Sequence, residues 1–190
     1  DILETMVGKD YGAICAHTIT ASNLIPGMVK ATEKGIPVLT DRRVDIKAAK
    51  QAGVRAHFFD LVDFHRQGRL AAEFIIARLA KSGGGKVAII EGLPGAPQSQ
   101  ARRAGAEKAF KKAKGIELVA IQPGDWDRNK AYTVASNLIQ AHPDLKGLMC
   151  ANDIMALAAM EAFKSAGKAG KVMVTGIDLI EQAKESIAKG

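Results

Sequence analysis

The stretch Lys86-Val87-Ala88-Ile89-Ile90-Glu91 decides the fold: four consecutive apolar residues stand between two charged ones. A strand with one wet face alternates apolar and polar residues, whereas a strand covered on both faces reads as an unbroken apolar run. Short runs of the same kind recur at residues 13–16, 37–40, 56–59, 117–122, 147–151 and 171–176. Between most of them the spacing turns helical. Over 63–81, Ala71, Phe74, Ile75 and Leu79 recur at three- and four-residue steps. A second helix is predicted over 127–141, with His142 in its last turn before Pro143. A third, over 153–166, stops at Gly167. Buried strands alternating with helices predict an α/β fold of doubly wound parallel sheet.

Two segments break the alternation. Residues 41–54 are polar and poor in helical pattern, so they read largely as loop. The chain opens on Leu3, Met6 and Val7 before Gly8, which reads as a helix end with no strand ahead of it.

Bulk properties exclude several classes. With 47% hydrophobic and 25% charged residues, the 190-residue chain has globular rather than disordered composition, enough for one large domain or two small ones. No apolar run approaches the roughly 20 residues of a membrane helix, so no membrane insertion is expected. The net charge of +7 rests on residues such as Lys108, Lys111, Lys112 and Lys114, with no interleaved aromatics. That pattern reads as a solvated helix face, and no nucleic-acid partner is expected. Cys15 and Cys150 each sit in an apolar run and read as packed thiols rather than a disulfide or metal ligands.

In open α/β sheets, ligands bind beyond the carboxyl ends of the strands. His17 and Thr18 follow the first run, Asp41-Arg42-Arg43 the second, and Glu91 ends the fourth. Arg102 and Arg103 open the next helix; Asp125-Trp126-Asp127, Asn152-Asp153 and Asp178 follow the later runs. Singly, most have simple structural readings. Asp153 and Asp127 read as helix N-caps, Arg102 as a surface charge, and Asp41, Asn152 and Asp178 as turn residues. Together they deliver carboxylates, an amide, a guanidinium and an indole to one edge, which suits a polyhydroxylated ligand.

Signatures of catalysis are missing. There is no G-x-S-x-G or G-x-G-x-x-G run, and Gly83-Gly84-Gly85-Lys86 precedes a strand and reads as a turn. His17, His57, His65 and His142 lack metal-ligand spacing. No catalytic residue, no metal and no cofactor is expected.

Several runs carry a resemblance. They are residues 86–92 with Ala101-Arg102-Arg103-Ala104-Gly105 and Ala109-Phe110, Gln122-Pro123-Gly124-Asp125-Trp126-Asp127-Arg128, Cys150-Ala151-Asn152-Asp153, and Ala166-Gly167-Lys168. Through them the chain resembles periplasmic sugar-binding proteins of the ribose-binding type, with the allose binders nearest among them. The resemblance implies two α/β lobes that close around one monosaccharide and no enzymatic activity. It places a partial amino-terminal lobe at 1–59, a hinge at 60–62 and a second lobe at 63–190. It implies sugar contacts from Asp41, Arg103 (or its neighbour Arg102), Trp126, Asn152, Asp178 and His17. It further implies a periplasmic location, delivery to an ABC transporter permease, and a chemoreceptor as a second partner. By the same comparison, the first part of the amino-terminal lobe and the carboxyl-terminal end are absent, so exposed strand edges and self-association are expected. The chain departs from the family at Asp63-Phe64, at Ile177 and in the proline-rich segment 93–97. The alternative reading is the effector-binding core of a lac-repressor-type regulator; an α/β enzyme with Asp41 or Asp178 as base is a poorer one.

Overall fold

The computed structural model describes residues 2–9, 11–41, 43–59 and 62–189. Arg42 and two of the three expected hinge residues, Asp60 and Leu61, lie outside that set. The chain divides into two compact units, Asp1–Asp63 and Phe64–Gly190. Each has its own parallel sheet, the α/β architecture that the apolar runs predict.

In the first unit, β1 (Ile14–Ala16), β2 (Val38–Asp41) and β3 (Ala56–Phe59) form a three-stranded parallel sheet in that order. Helices α1 (Ile2–Val7), α2 (Ile25–Glu33) and α3 (Ile46–Gln51) accompany it. Leu3, Val7, Ile14, Met28, Ala31, Val38 and Ala49 make one buried cluster. Helix α3 falls where a loop was expected. Asp45 caps it by accepting the Ala48 N–H at 2.9 Å, a local bond that substitutes for a strong apolar stripe in so short a helix.

The strand register aligns Cys15 with Leu39 and Leu39 with His57. Alternation puts this row on the face opposite the core, and all three side chains are exposed, Leu39 by 44%. Cys15 is therefore not the packed thiol that its apolar neighbours suggested. Parallel sheets are ordinarily covered on both faces, and among the described residues of this unit that row stays exposed.

In the second unit, β4 (Gly85–Glu91), β5 (Ile116–Pro123), β6 (Leu145–Cys150) and β7 (Met173–Thr175) are parallel in the order β5-β4-β6-β7. Helices α4 (Phe64–Leu79) and α5 (Pro97–Lys112) cover one face. Helices α6 (Arg128–Ala141) and α7 (Asp153–Ser165) cover the other, and α8 (Glu181–Lys189) follows β7. The apolar run of β4 divides between the faces: Val87 and Ile89 pack with α4 and α5, Ala88 and Ile90 with α6 and α7. Cys150 lies in the second cluster fully buried, and burial pushes its thiol pKa far up, so it is inert. From β4 the chain winds one way to β5, then back across to β6. The reversal leaves a crevice beyond the carboxyl ends of β4 and β6, the usual ligand position in such sheets.

Helices α4 and α5 meet backbone to backbone. A Cβ on Gly68 would lie 1.8 Å from the carbonyl oxygen of Arg102, and one on Gly105 would lie 2.0 Å from that of His65. Only hydrogen fits at either point. This crossing sets how α5 is rolled against the sheet and therefore which of its residues face the crevice.

Two outcomes follow from this packing. Gly68→Ala should cost about 1–3 kcal/mol, the range for overpacked sites, measured by denaturation. The open row of Cys15, Leu39 and His57, with the apolar groove of about 540 Å³ lined by Leu70, Phe74, Met160 and Ile187, should make the 190-residue chain self-associate. A monodisperse monomer in sedimentation at micromolar concentration would contradict the second.

Candidate functional site: a guanidinium at the strand crossover

Arg102 stands on the first turns of α5 and is only 8% exposed, so it is not the surface charge its sequence context suggested. Its Nε donates to Gln67 Oε1 on α4 at 3.0 Å, and its Nη1 donates to the carbonyl oxygen of Ala151 at 2.7 Å. Ala151 directly follows β6, so the guanidinium sits at the crossover crevice. Nη2 donates to Asp178 Oδ1 at 3.1 Å, from the loop after β7. Two aromatic rings flank the group: Phe64 at 5.5 Å and Trp126 at 5.9 Å from the guanidinium carbon to the ring centre. A cation over such rings is attracted by their π faces.

Trp126 reaches this position through a strained turn. Asp125 and Trp126 both have left-handed backbones, with φ of 54° and 63°. Non-glycine residues there cost of order 1–3 kcal/mol each and persist only where the surroundings hold them. Here Gly124 N–H donates to the Glu91 carbonyl at 2.8 Å, and Asp127 N–H donates to that of Gly124 at 2.8 Å. Gly92 makes room, since a Cβ on it would lie 2.1 Å from the indole. Asp127 is the N-cap of α6, as expected, accepting the Lys130 N–H at 2.7 Å.

At the start of α7 the expected roles are exchanged. Asn152, not Asp153, caps the helix: its Oδ1 accepts the Met155 N–H at 3.0 Å. Asp153 is the first helical residue, and its carboxylate accepts the N–H of Ile180 at 2.9 Å. The reason is backbone geometry. Asn152 has the extended φ and ψ (−151° and 170°) of a cap, while Asp153 is already helical.

Asp178 has φ of 115° and a side chain 43% exposed. Burial raises its carboxyl pKa above the usual value; Arg102 pulls it back down, and the nearby Asp153 charge adds to the rise. Trp126 and Asp178 thus collect around Arg102, and Asn152 directly follows Ala151, whose carbonyl accepts from that guanidinium. Arg103 does not join them. It is half-exposed and pairs with Glu91 at 3.4 Å and Glu107 at 3.5 Å.

The first unit has a separate cluster at its own sheet edge. Asp41 ends β2 at 2% exposure. One carboxylate oxygen accepts the Arg43 N–H at 3.0 Å, and the other accepts Arg43 Nε at 2.9 Å and pairs with Arg43 Nη2. His17 Nδ1 lies 2.8 Å from the same oxygen, and its ring meets Phe59 edge-on at 6.3 Å. Burial would raise the Asp41 pKa, but the hydrogen bonds from Arg43 and His17 outweigh it and hold the carboxyl below its usual value. Arg43 and Gln67 escaped the sequence reading as individual site residues. A guanidinium two residues beyond Asp41 was the signal for the first; nothing in the sequence marked the second.

Among the described residues no group of three or more His, Cys, Asp or Glu side chains is placed to hold a metal ion. What the second unit presents is a fixed donor, a carboxylate, an amide and aromatic faces at a crossover crevice. The whole chain, residues 1–190, matches the model of the periplasmic binding protein domain. The chain belongs to that family. It is 42% identical over 190 residues to the D-allose-binding periplasmic protein of Escherichia coli K12, covering all of this chain and 61% of that protein. To the D-ribose/D-allose-binding protein of Pseudomonas aeruginosa it is 36% identical over 192 residues, covering 100% and 58%. Among solved structures it is similar to an ABC transporter periplasmic solute-binding protein of Actinobacillus succinogenes with bound D-allose. That match has a TM-score of 0.91 and 37% identity, covering 100% of this chain and 66% of the other. The chain thus spans about three fifths of the length of the curated relatives it matches.

The sign of the Asp41 shift gives a prediction. A carboxyl whose folded pKa is depressed stabilises the fold above its unfolded pKa and loses that contribution as pH falls through the folded value. At pH 7, Asp41→Asn should lose about 1.5–3 kcal/mol, the range for a hydrogen bond to a charged group. That deficit should shrink as pH drops below the ordinary carboxylate range. A deficit of constant size down to pH 2, in urea unfolding, would contradict this account.

Proposed function

We propose that this chain is the sugar-capturing part of a solute-binding protein: it binds a monosaccharide of the allose or ribose type, carries out no chemistry on it, and serves an ABC transporter in the periplasm. The observation that carries this reading is the guanidinium of Arg102, held by Gln67 and the Ala151 carbonyl at the crossover of β4 and β6. A donor fixed from behind costs little further ordering when a hydroxyl arrives, which favours affinity. Asp178 accepts from hydroxyls, the Asn152 amide nitrogen donates while its oxygen caps α7, and Trp126 covers the C–H face of the ring. Asp41 and His17 offer an acceptor and an imidazole at the edge of the first unit. Arg103 keeps a subsidiary place in the proposal, through its pairing with Glu91.

A buried donor or acceptor left unpaired is costly, so a site that bonds each hydroxyl rejects sugars lacking one. The closing mechanism implied by the resemblance belongs to the proposal too, since a ligand shifts such an equilibrium only by its differential affinity for the two states. The relatives named above support import over the regulator core. As a base, either aspartate would be poorly placed: Asp41 is paired with Arg43, and Asp178 with Arg102.

Trp126 is the only tryptophan of the chain and so reports on the site by itself. Titration with D-allose and D-ribose should give a saturable change in its fluorescence with at least one of them. Asp178→Ala and Arg102→Met should each weaken binding by about 10- to 100-fold, the loss of a hydrogen bond to a charged group. A flat titration with both sugars, checked by calorimetry, would overturn the sugar reading.

A further inference from the structure

We infer that Asp153 is a positioning residue for the ligand site: it fastens the loop after β7 on both sides of Asp178 and so sets where that carboxylate stands. The inference rests on the sugar-binding reading and goes beyond it. Asp153 is 5% exposed. Its role lies in what it holds. The backbone N–H of Asp153 donates to the carbonyl of Ile177 at 2.9 Å, and its Oδ2 accepts the N–H of Ile180 at 2.9 Å. The residue before Asp178 and the second residue after it are thus tied to one aspartate. Gly176 allows the loop to lie flat on that carboxylate, because a Cβ there would fall 2.3 Å from Asp153 Oδ1.

The tie is needed because the loop is not in a relaxed form. Asp178 and Leu179 both have positive φ, 115° and 57°, in regions that L side chains seldom occupy unless held. Helix α8, which follows, buries only Ala183, so it supplies little tertiary anchorage of its own. Asp153 is well placed to serve as the fixed point. It opens the 13-residue helix α7, whose start is locked by the Asn152 cap, and a carboxylate in the first turn is favoured by the helix dipole. The arrangement runs from cap to helix start, to loop, to Asp178, and ends on Arg102 at 3.1 Å. Without the tie, the Ile180 N–H loses its acceptor and the loop is free to move Asp178 away from the guanidinium.

The test is a double-mutant cycle read by D-allose and D-ribose titration, at a temperature where each variant is fully folded. Asp153→Ala should weaken binding about tenfold, and Asp153→Asn, which keeps an acceptor oxygen, should recover most of that loss. In the Asp178→Ala background, Asp153→Ala should have no further effect on affinity, although its effect on the melting temperature persists. A role in stability alone would leave affinity untouched or make the two losses multiply; either result overturns the inference. If Asp153→Ala does not fold, Gly176→Ala, which lifts the loop off the carboxylate, should give the same loss and the same dependence on Asp178. Amide exchange separates this inference from the sugar reading. In the ligand-free chain, the Ile180 amide should exchange about a hundredfold faster in Asp153→Ala than in the native protein, and an unchanged rate overturns the tie. A native chain that binds neither sugar overturns the functional reading instead, and leaves the exchange result to decide the role of Asp153.

Discussion

A guanidinium taken out of water must be met by acceptors in several directions at once, and in the second unit Arg102 imposes that demand on four parts of the chain. Gln67 answers from α4, Ala151 from the end of β6, and Asp178 from the loop after β7, while Phe64 and Trp126 flank the group. The Ala151 carbonyl is part of the strand end itself, so the charge is tied to the sheet and not merely to neighbouring side chains. Removing any one partner would leave part of a buried charge unmatched, which is far costlier than losing a surface pair. The site is stiff for that reason. A stiff donor at the crossover crevice is also what a hydroxylated ligand needs.

The two aspartates singled out in the chain show how environment divides one chemistry into two. Asp41 lies at 2% exposure, yet Arg43 and His17 surround its carboxylate so fully that its pKa falls. Asp178 is more open, but burial dominates over its single described bond to Arg102, and its pKa rises. The first is a charge already met by Arg43 and His17 at the end of β2. The second retains acceptor capacity beyond its ion pair.

Local strain and local support are matched throughout the second unit. The left-handed turn at Asp125 and Trp126 is bracketed by backbone bonds to Glu91 and Gly124, and the loop at Asp178 and Leu179 is bracketed by bonds to Asp153. In both places a glycine, Gly92 or Gly176, removes the one Cβ that would prevent the close approach. Such residues add no side chain to the crevice, but they decide where Trp126 and Asp178 can stand.

By itself the sequence determined the class of fold, because a strand covered on both faces must be apolar throughout, and Val87 to Ile90 could be read without knowing what covers them. It also determined the cap at Asp127 and the gathering of polar groups at strand ends. Tertiary structure alone decided the choices between neighbours. Arg102 and Arg103 are identical residues about 100° apart around one helix, and the roll of α5, set by Gly68 and Gly105 meeting the opposite backbone, turned the first towards the crevice. Asn152 and Asp153 are both able to cap, and the backbone stays extended through the first and turns helical at the second. Cys15 and Leu39 belong to apolar runs, yet the alternation of a strand puts them on the sheet face that no described helix covers. In each case composition names the candidates, and which candidate is used depends on contacts with segments far away in the chain.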